Sequence, residues 1–175
     1  MCSIITHPVV PISIATMFPH ESITRPILFA GAICSVIPDL DVIGFSFGIP
    51  YADMLGHRGL THSIFFAVLL GALVAYLLAD HVGGVSLVTF TFLFLSTLSH
   101  GMLDALTNDG LGVAFFSPFE NERYFFPWRP VVVSPIGVAS FFSETGLRVI
   151  WSELRWVWLP FGIVCAISRV LKWHR

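Results

Sequence analysis

The sequence predicts an all-α membrane protein, a polytopic bundle of four to five membrane-embedded helices with a long aromatic loop. Hydrophobic residues make up 55% of the 175-residue chain and charged residues only 11%, against about a quarter in typical soluble domains. The mean hydropathy is +0.83. A soluble protein of this size needs charge to keep its surface hydrated, whereas a bilayer protein does not. We therefore expect residues 1–175 to form a single membrane-embedded domain.

Two stretches of the chain are long enough to cross a bilayer. Residues 59–79 and residues 82–103 contain no Asp, Glu, Lys or Arg. Each matches the roughly 20 apolar residues that a helix needs to cross about 30 Å of hydrocarbon. The connection between them, residues 80–84, is short and ends in two glycines. This predicts an antiparallel pair of helices.

The N-terminal apolar segments are shorter. Prolines limit the first predicted helix to about residues 8–18, because proline interrupts a helix interior. The second apolar segment, residues 24–38, is expected to end at Pro38 and Asp39. Joined by a short turn, the two predict a helical hairpin partly sunk in the membrane.

The C-terminal part predicts a long loop followed by one more helix. Residues 108–148 are rich in Pro and Phe, and residues 149–171 form the predicted helix, with tryptophans at its start. Tryptophans of this kind mark the interface between lipid and water. Three basic residues then end the chain: Arg169, Lys172 and Arg175. By the positive-inside rule they place the C-terminus in the cytoplasm.

Acidic and histidine side chains gather where the predicted helices end. Residues 38–41 (Pro-Asp-Leu-Asp) end the second segment, residues 57–63 (His-Arg-Gly-Leu-Thr-His-Ser) open the third, and residues 100–104 (His-Gly-Met-Leu-Asp) close the fourth. Such side chains are costly near lipid unless paired or bound, so they are functional candidates. If the segments alternate in direction, all three clusters meet at one membrane face. We therefore expect one shared site.

The residue types in these clusters predict a metal site. His100 and Asp104 are four residues apart, so on a helix they lie on one face and are able to bind one ion. Imidazole with carboxylate favours zinc, manganese or iron(II) over calcium or magnesium. The ligands outnumber the four of a tetrahedral zinc, which suggests one or two ions, with zinc preferred and manganese as the alternative. The candidate ligands are His7, Asp39, Asp41, His57, His62, His100 and Asp104.

Several of these residues also have a purely structural interpretation. Asp39 or Asp41 could cap a helix or a turn, and Asp104 could orient His100 instead of binding the ion. His7 lies in an apolar segment, where a structural histidine and a ligand are equally compatible with the sequence. The remaining histidines lie at predicted connections or at the terminus, and we do not expect them to bind: His20, His81 and His174.

Arg58 is the catalytic candidate, because it lies between the candidate ligands His57 and His62. A guanidinium there could neutralise a phosphate or stabilise a developing oxyanion. Its alternative role is a salt bridge to an acidic residue of the site, and the sequence leaves both roles open. The acidic partners considered are Asp39, Asp41 and Asp53.

These strings resemble the YdjM-like family of bacterial inner-membrane proteins, which are described as LexA-regulated, membrane-bound, metal-dependent hydrolases. Residues 118–127 (Pro-Phe-x-Asn-x-Arg-Tyr-Phe-Phe-Pro) and 133–137 (Val-Ser-Pro-Ile-Gly) extend the resemblance, which runs from residue 7 to about residue 140. The family is distantly similar to zinc-dependent phospholipase C and P1-type nucleases, which also use a His-x-x-x-Asp pair on a helix. The resemblance implies a hydrolase but identifies no substrate.

The expected function is therefore metal-assisted hydrolysis of an ester or phosphoester in a lipid or lipid-linked substrate. Membrane lipids are the expected partners, and the chain has no basic stripe that would indicate nucleic-acid binding. Two alternatives remain: a metal or proton transporter, and a membrane protein with a purely structural metal. We expect the inner membrane as the location, with the site on the periplasmic face.

Overall fold

The computed structural model describes residues 1–19 and 21–173, so His20, His174 and Arg175 lie outside the described residues. Within the described ranges the chain is mostly helical, and β-type pairing is limited to two isolated bridges, Thr107 with Val131 and Val113 with Tyr124. The predicted all-α class is confirmed.

Three helical stretches of the described chain are long and apolar enough to span a membrane: Arg25–Phe47, Leu87–Ala105 and Glu144–Leu171. A further apolar helix, α3 (Ile64–Leu77), is shorter: it has 14 residues, which reach only about 21 Å at 1.5 Å per residue. It starts later than predicted because residues 60–62 form a separate 3₁₀ turn. The expected count of four to five spans is therefore not confirmed.

The N-terminal part contains helices α1 (Val9–Ala15) and α2 (Arg25–Cys34), which pack against each other. A 3₁₀ helix, Ile37–Phe47, follows α2. The expectation that helical structure ends at Pro38 and Asp39 is wrong. Pro38 lies in the first turn of the 3₁₀ helix, where its missing N–H removes no helical hydrogen bond. Asp39 is therefore held on a helical segment.

Helix α3 pairs with helix α5 (Leu87–Ala105) through the short helix α4 (Ala79–Val82). Small residues at every fourth position face the partner: Ala67, Gly71 and Ala75. A Cβ on Gly71 would lie 2.9 Å from the backbone nitrogen of Phe94, so only glycine permits this approach. Gly71 meets Phe94 and His62 meets Gly101, which makes the pair antiparallel, as predicted.

Helix α5 is the centre of the bundle. It contacts α1, α2 and α3, and its buried residues run along most of its length, from Thr89 to Ala105. Ser86 caps its N-terminus by accepting a hydrogen bond from the Thr89 backbone. The C-terminal end of α5, with its polar residues, is thus fixed inside the protein.

The C-terminal region begins its helix earlier than predicted. After the loop of residues 106–137 come α6 (Val138–Phe141), α7 (Glu144–Glu153), a π-helical turn (Leu154–Trp158) and α8 (Leu159–Trp173). The predicted start at residue 149 is wrong by five residues, because Glu144 opens α7 in its first turn. A carboxylate is favourable there, next to the positive end of the helix dipole.

One buried apolar cluster joins the N-terminal segment to the rest of the bundle. It is formed by Cys2, Val10, Leu103, Val131 and Val157. These residues come from the N-terminus, α1, α5, the long loop and the π-helical turn. Their packing holds the first ten residues against the end of α5.

Candidate metal centre

The structure brings the three polar clusters of the sequence together in one buried group. Asp39, His62, His100 and Asp104 each present a ligand atom, and these atoms all lie within 4.8 Å of one another. All four side chains are buried. We call this group the His/Asp cluster.

Helix α5 orients His100 towards the cluster. Its Nδ1 lies 2.7 Å from the carbonyl oxygen of Ser35, so Nδ1–H donates and Nε2 keeps its lone pair. That Nε2 lies 3.0 Å from His62 Nε2 and 3.3 Å from an oxygen of Asp39. A backbone carbonyl that fixes the far nitrogen is the usual support of a metal-binding histidine.

Asp104, one helical turn further along α5, is fully buried and firmly held. The Cys2 backbone N–H donates to its Oδ1 at 2.7 Å, and Arg58 Nε lies 3.2 Å from its Oδ2. The amino group of Met1 is 4.0 Å away. The same Oδ2 lies 3.6 Å from His62 Nε2. Asp104 thus joins the N-terminal segment, α5 and the 57–63 loop.

Asp39 provides the test of whether a cation fits. Its two oxygens are buried, and neither has a hydrogen-bond partner among the described residues. The nearest polar groups are imidazole nitrogens, at 3.3 Å in His100, 3.8 Å in His62 and 3.9 Å in His7. A buried carboxylate without a donor is strongly unfavourable. A divalent cation between Asp39 and these nitrogens satisfies all of them, so the residues fit such an ion.

His7 lies against the cluster from the N-terminal side. Its ring stacks on His100 with centroids 3.8 Å apart, and its Nε2 lies 3.8 Å from Asp104. Burial and the neighbouring His100 lower the pKa of His7 to about 3. The ring is therefore neutral, and its nitrogens have no hydrogen-bond partner among the described residues. The position suits a further ligand.

His62 is protonated in the absence of a bound cation, and its positive charge balances part of the negative charge of the surrounding carboxylates. Burial lowers the pKa of His62, but the nearby carboxylates of Asp104, Asp39 and Asp41 outweigh burial and raise the pKa to about 10. Three carboxylates around one imidazole make a site of excess negative charge. Ligand histidines bind in the neutral form, so metal binding releases this proton.

Asp41 is surrounded by donors. It accepts hydrogen bonds from His57 Nδ1 at 2.7 Å, from Thr61 Oγ1 at 2.8 Å and from the Arg58 backbone at 3.2 Å, and it lies 3.2 Å from His62 Nδ1. This geometry orients both histidines. Asp41, His57 and His62 also form a second potential ligand group, so the two groups share His62.

His57 has one free nitrogen in this second group. Its Nδ1 is bonded to Asp41, while its buried Nε2 has no partner in the described part of the chain. Burial lowers the pKa of His57, which leaves a neutral imidazole with an available lone pair. All seven predicted ligands therefore lie in or beside the two groups.

Arg58 is fully buried, and its guanidinium is occupied by the protein. Nε pairs with Asp104, Nη1 donates to the Asp109 carbonyl at 3.1 Å, and Nη2 donates to Thr107 Oγ1 at 2.9 Å. The guanidinium thus forms its salt bridge with Asp104, and not with Asp39, Asp41 or Asp53, the partners considered from the sequence. The backbone of Arg58 has φ 65°, a left-handed conformation that a residue with a side chain adopts at some cost.

Sequence reasoning missed Glu153, which holds the segment that carries His7. This buried carboxylate accepts hydrogen bonds from Ser3 N and Oγ, both at 2.5 Å, and from Thr6 Oγ1 at 2.8 Å. Trp158 Nε1 also donates to Thr6 Oγ1. The available signal was an acidic residue within an apolar C-terminal helix. The π-helical turn that follows Glu153 is a deviation often found at functional sites.

Two of the histidines that we did not expect to bind, His20 and His174, lie outside the described residues. His81 is in α4, at the opposite end of the α3–α5 pair from His62 and His100.

A cavity of about 430 Å³ lies directly beside the cluster, and Asp39 forms part of its wall. The other lining residues are mostly apolar and come from three segments: residues 1–5, residues 36–42 and residues 134–141. Among the described lining residues there is no Lys or Arg. Small-molecule sites typically measure roughly 300–1,000 Å³, and the volume of this cavity lies in that range.

Comparison with known proteins extends the similarity over the whole chain. The family model described as YdjM inner membrane protein matches residues 1–174. The inner membrane protein YbcI of Escherichia coli (strain K12) is 39% identical over 175 residues, which cover 100% of this chain and 99% of that relative. No solved structure matches. The similarity thus includes the C-terminal helix, beyond the limit of about residue 140 that the motifs indicated.

Proposed function

The chain belongs to the YdjM inner membrane protein family, and we propose that it is a membrane-bound, metal-dependent hydrolase of an ester or phosphoester in a lipid or lipid-linked substrate. One observation carries the proposal: Asp39 belongs both to the His/Asp cluster and to the wall of the apolar cavity. A substrate in the cavity therefore lies next to the cluster.

The ligand atoms of the cluster support a divalent cation, for which zinc is our first choice and manganese the alternative. When bound, such an ion supplies Lewis acidity, which makes water a nucleophile near neutral pH. Asp39, His62, His100 and Asp104 would hold it, with His7 beside them. A second ion would use the group of Asp41, His57 and His62.

The residues around the ligands fix the geometry. Ser35 orients His100, Asp41 orients His57 and His62, and Arg58 together with Cys2 holds Asp104. Such supporting contacts set ligand orientation and basicity. The direct role of Arg58 towards the substrate stays a prediction, whereas its contacts support a positioning role for Asp104.

Substrate class follows from the surroundings of the site. The cavity wall is apolar, and the family is one of inner membrane proteins. A phospholipid or a lipid-linked phosphate combines the hydrocarbon that suits this wall with an ester that suits the cation. We place the site on the periplasmic face. Arg169 lies near the end of the last helix, and the positive-inside rule assigns that end to the cytoplasm. The tryptophans lie at the start of the same helix, which is then the periplasmic end. Cysteine labelling at position 109 tests this orientation.

A structural metal is the second candidate, and one observation favours it. Four buried ligands are enough to complete a tetrahedral zinc site without an open position. A closed site would hold metal but would not react. The two functions differ in whether removal of the metal abolishes hydrolysis or only loosens the fold.

The deciding experiment combines metal analysis of the purified protein with a hydrolysis screen of phospholipids, with and without chelator. We expect bound zinc or manganese, release of a hydrolysis product from at least one lipid, and loss of that activity on chelation. Activity that persists after the metal has been stripped would exclude a metal-dependent hydrolase. Metal without activity on any lipid of the screen would favour the structural site.

A further inference from the structure

The cavity beside Asp39 is built for hydrocarbon. Its wall is formed mainly by apolar side chains such as Ile5, Val36, Val42 and Phe141, with Ser3, Asp39 and Ser134 as polar members. A phosphate headgroup needs cationic or hydrogen-bonding partners, and the described lining residues include no Lys or Arg. The lining residues do include Met1, whose amino group lies 4.0 Å from Asp104, at the cluster. The charged part of a ligand therefore has its cationic partners at the cluster end of the cavity.

The cavity is continuous with an apolar outer surface. Several of its lining residues are also exposed on the surface of the protein: Ile4, Ile5, Leu40 and Ile136. Leu40 belongs to the candidate membrane span Arg25–Phe47. In an inner membrane protein, such a surface faces lipid chains. A chain is thus able to enter the cavity sideways from the bilayer without crossing water.

We infer that this cavity is a binding subsite for one hydrocarbon chain of a membrane lipid, which it holds so that the ester or phosphoester of that lipid lies beside Asp39. The inference rests on the proposed hydrolase, because it names where that enzyme holds its substrate. Asp39 then marks the boundary between chain and reacting group. Lipids with a hydrocarbon chain are the substrates, and water-soluble phosphoesters bind poorly.

Photolabelling tests the subsite directly. The full chain is placed in nanodiscs that contain a phosphatidylglycerol with a diazirine at the end of one acyl chain, and labelled peptides are mapped by mass spectrometry. We expect labelling of residues 1–5, 36–42 and 134–141. Labelling that is confined to the outer face of α8, around Ile163 and Ile167, would show that chains contact only the lipid-facing surface, and the inference would be wrong.

Filling the cavity supplies the matched comparison. Val42→Phe and, separately, Val36→Phe each fill space that about two methylene groups of the bound lipid chain would occupy. The chain then binds more weakly, and cavity labelling should fall roughly tenfold. Ile163→Phe, on an exposed position of α8, should leave cavity labelling unchanged. Bound metal in each variant reports that the cluster is intact. Full labelling in both cavity variants, with metal retained, would contradict the subsite.

The two proposals fail separately. Metal-dependent hydrolysis without cavity labelling would leave the hydrolase standing and remove the subsite. Cavity labelling without metal-dependent hydrolysis would support the subsite as a lipid site and remove the hydrolase. Equal labelling by a detergent that carries the same diazirine would show that the cavity has no preference for lipid and would count against the inference.

Discussion

His62 Nε2 and His100 Nε2 lie 3.0 Å apart in the interior of the bundle, although 38 positions separate the two residues in the chain. The far nitrogens are both engaged, His100 Nδ1 by the Ser35 carbonyl and His62 Nδ1 by Asp41. The near nitrogens therefore point at each other and at the carboxylates of Asp39 and Asp104. A proton on one near nitrogen would bridge the two rings but leave the Asp39 oxygens without a hydrogen-bond donor among the described residues. A shared cation satisfies both rings and the carboxylates.

Removal of a ligand from the His/Asp cluster should lower metal content sharply. We expect His62→Ala, His100→Ala and Asp104→Ala each to lose most of the bound metal, because each contributes one of the four atoms of the group. Elemental analysis of protein purified in the same way measures this. His81→Ala is the control and should retain full metal content, since His81 lies in α4. Full occupancy in all three cluster variants would eliminate the site.

Asp41→Asn should weaken metal binding without abolishing it. The amide keeps the size of the side chain but is a poorer acceptor for His57 Nδ1–H and Thr61 Oγ1. Loss of such an orienting carboxylate costs roughly 10- to 100-fold in metal affinity, which competition with a chelator of known affinity measures. Asp53→Asn is the matched control, because the Asp53 side chain accepts a hydrogen bond from the nearby Leu55 backbone and belongs to neither ligand group. Equal affinities for the two variants would contradict an orienting role for Asp41.

Glu153→Ala should destabilise the protein by loosening the N-terminal segment. The variant leaves the donors of Ser3 and Thr6 without their acceptor, and each buried unsatisfied group costs about 1–3 kcal/mol. Thermal unfolding monitored by circular dichroism reports the loss. Glu144→Ala, at an exposed position in the first turn of α7, should change the midpoint only slightly. A Glu153→Ala variant as stable as Glu144→Ala would show that the hydrogen bonds of Glu153 to Ser3 and Thr6 do not stabilise the protein.

Arg58→Lys separates charge from geometry. Lysine keeps a positive charge near Asp104 but loses the planar fork that also reaches Thr107 and the Asp109 carbonyl. We expect hydrolysis of an identified substrate to slow by on the order of a hundredfold, with metal content retained. Arg129→Lys, which alters a guanidinium that stacks on Phe125, is the control. A wild-type rate in Arg58→Lys would end the catalytic role of Arg58.

Much of the site was accessible from the sequence because local spacing and helix direction fix it. His100 and Asp104 share a face by helical periodicity, and the antiparallel α3–α5 pair brings His62 to the same end. The short loop between α3 and α5 made that direction predictable. These features depend on residues close together in the chain.

Other features depend on contacts between distant segments and were not accessible. Glu153 binds Ser3, which is 150 positions away in the chain. Arg58 pairs with Asp104 and not with a carboxylate closer in the sequence, because Thr107 and the Asp109 carbonyl accept hydrogen bonds from its other nitrogens. The early start of α7 and the continuation of helical structure past Pro38 concern helix boundaries, and the sequence pattern is compatible with more than one boundary at each position. Periodicity does not decide between them.

X-ray absorption spectroscopy at the metal edge of the full chain in lipid nanodiscs tests the central claim most directly. With zinc bound, we expect a shell of nitrogen and oxygen ligands at about 2.0–2.1 Å, multiple scattering from the imidazoles of His62 and His100, and loss of part of that scattering in His100→Ala. A sulfur shell at about 2.3 Å, or a spectrum without imidazole scattering, would contradict metal binding by the His/Asp cluster.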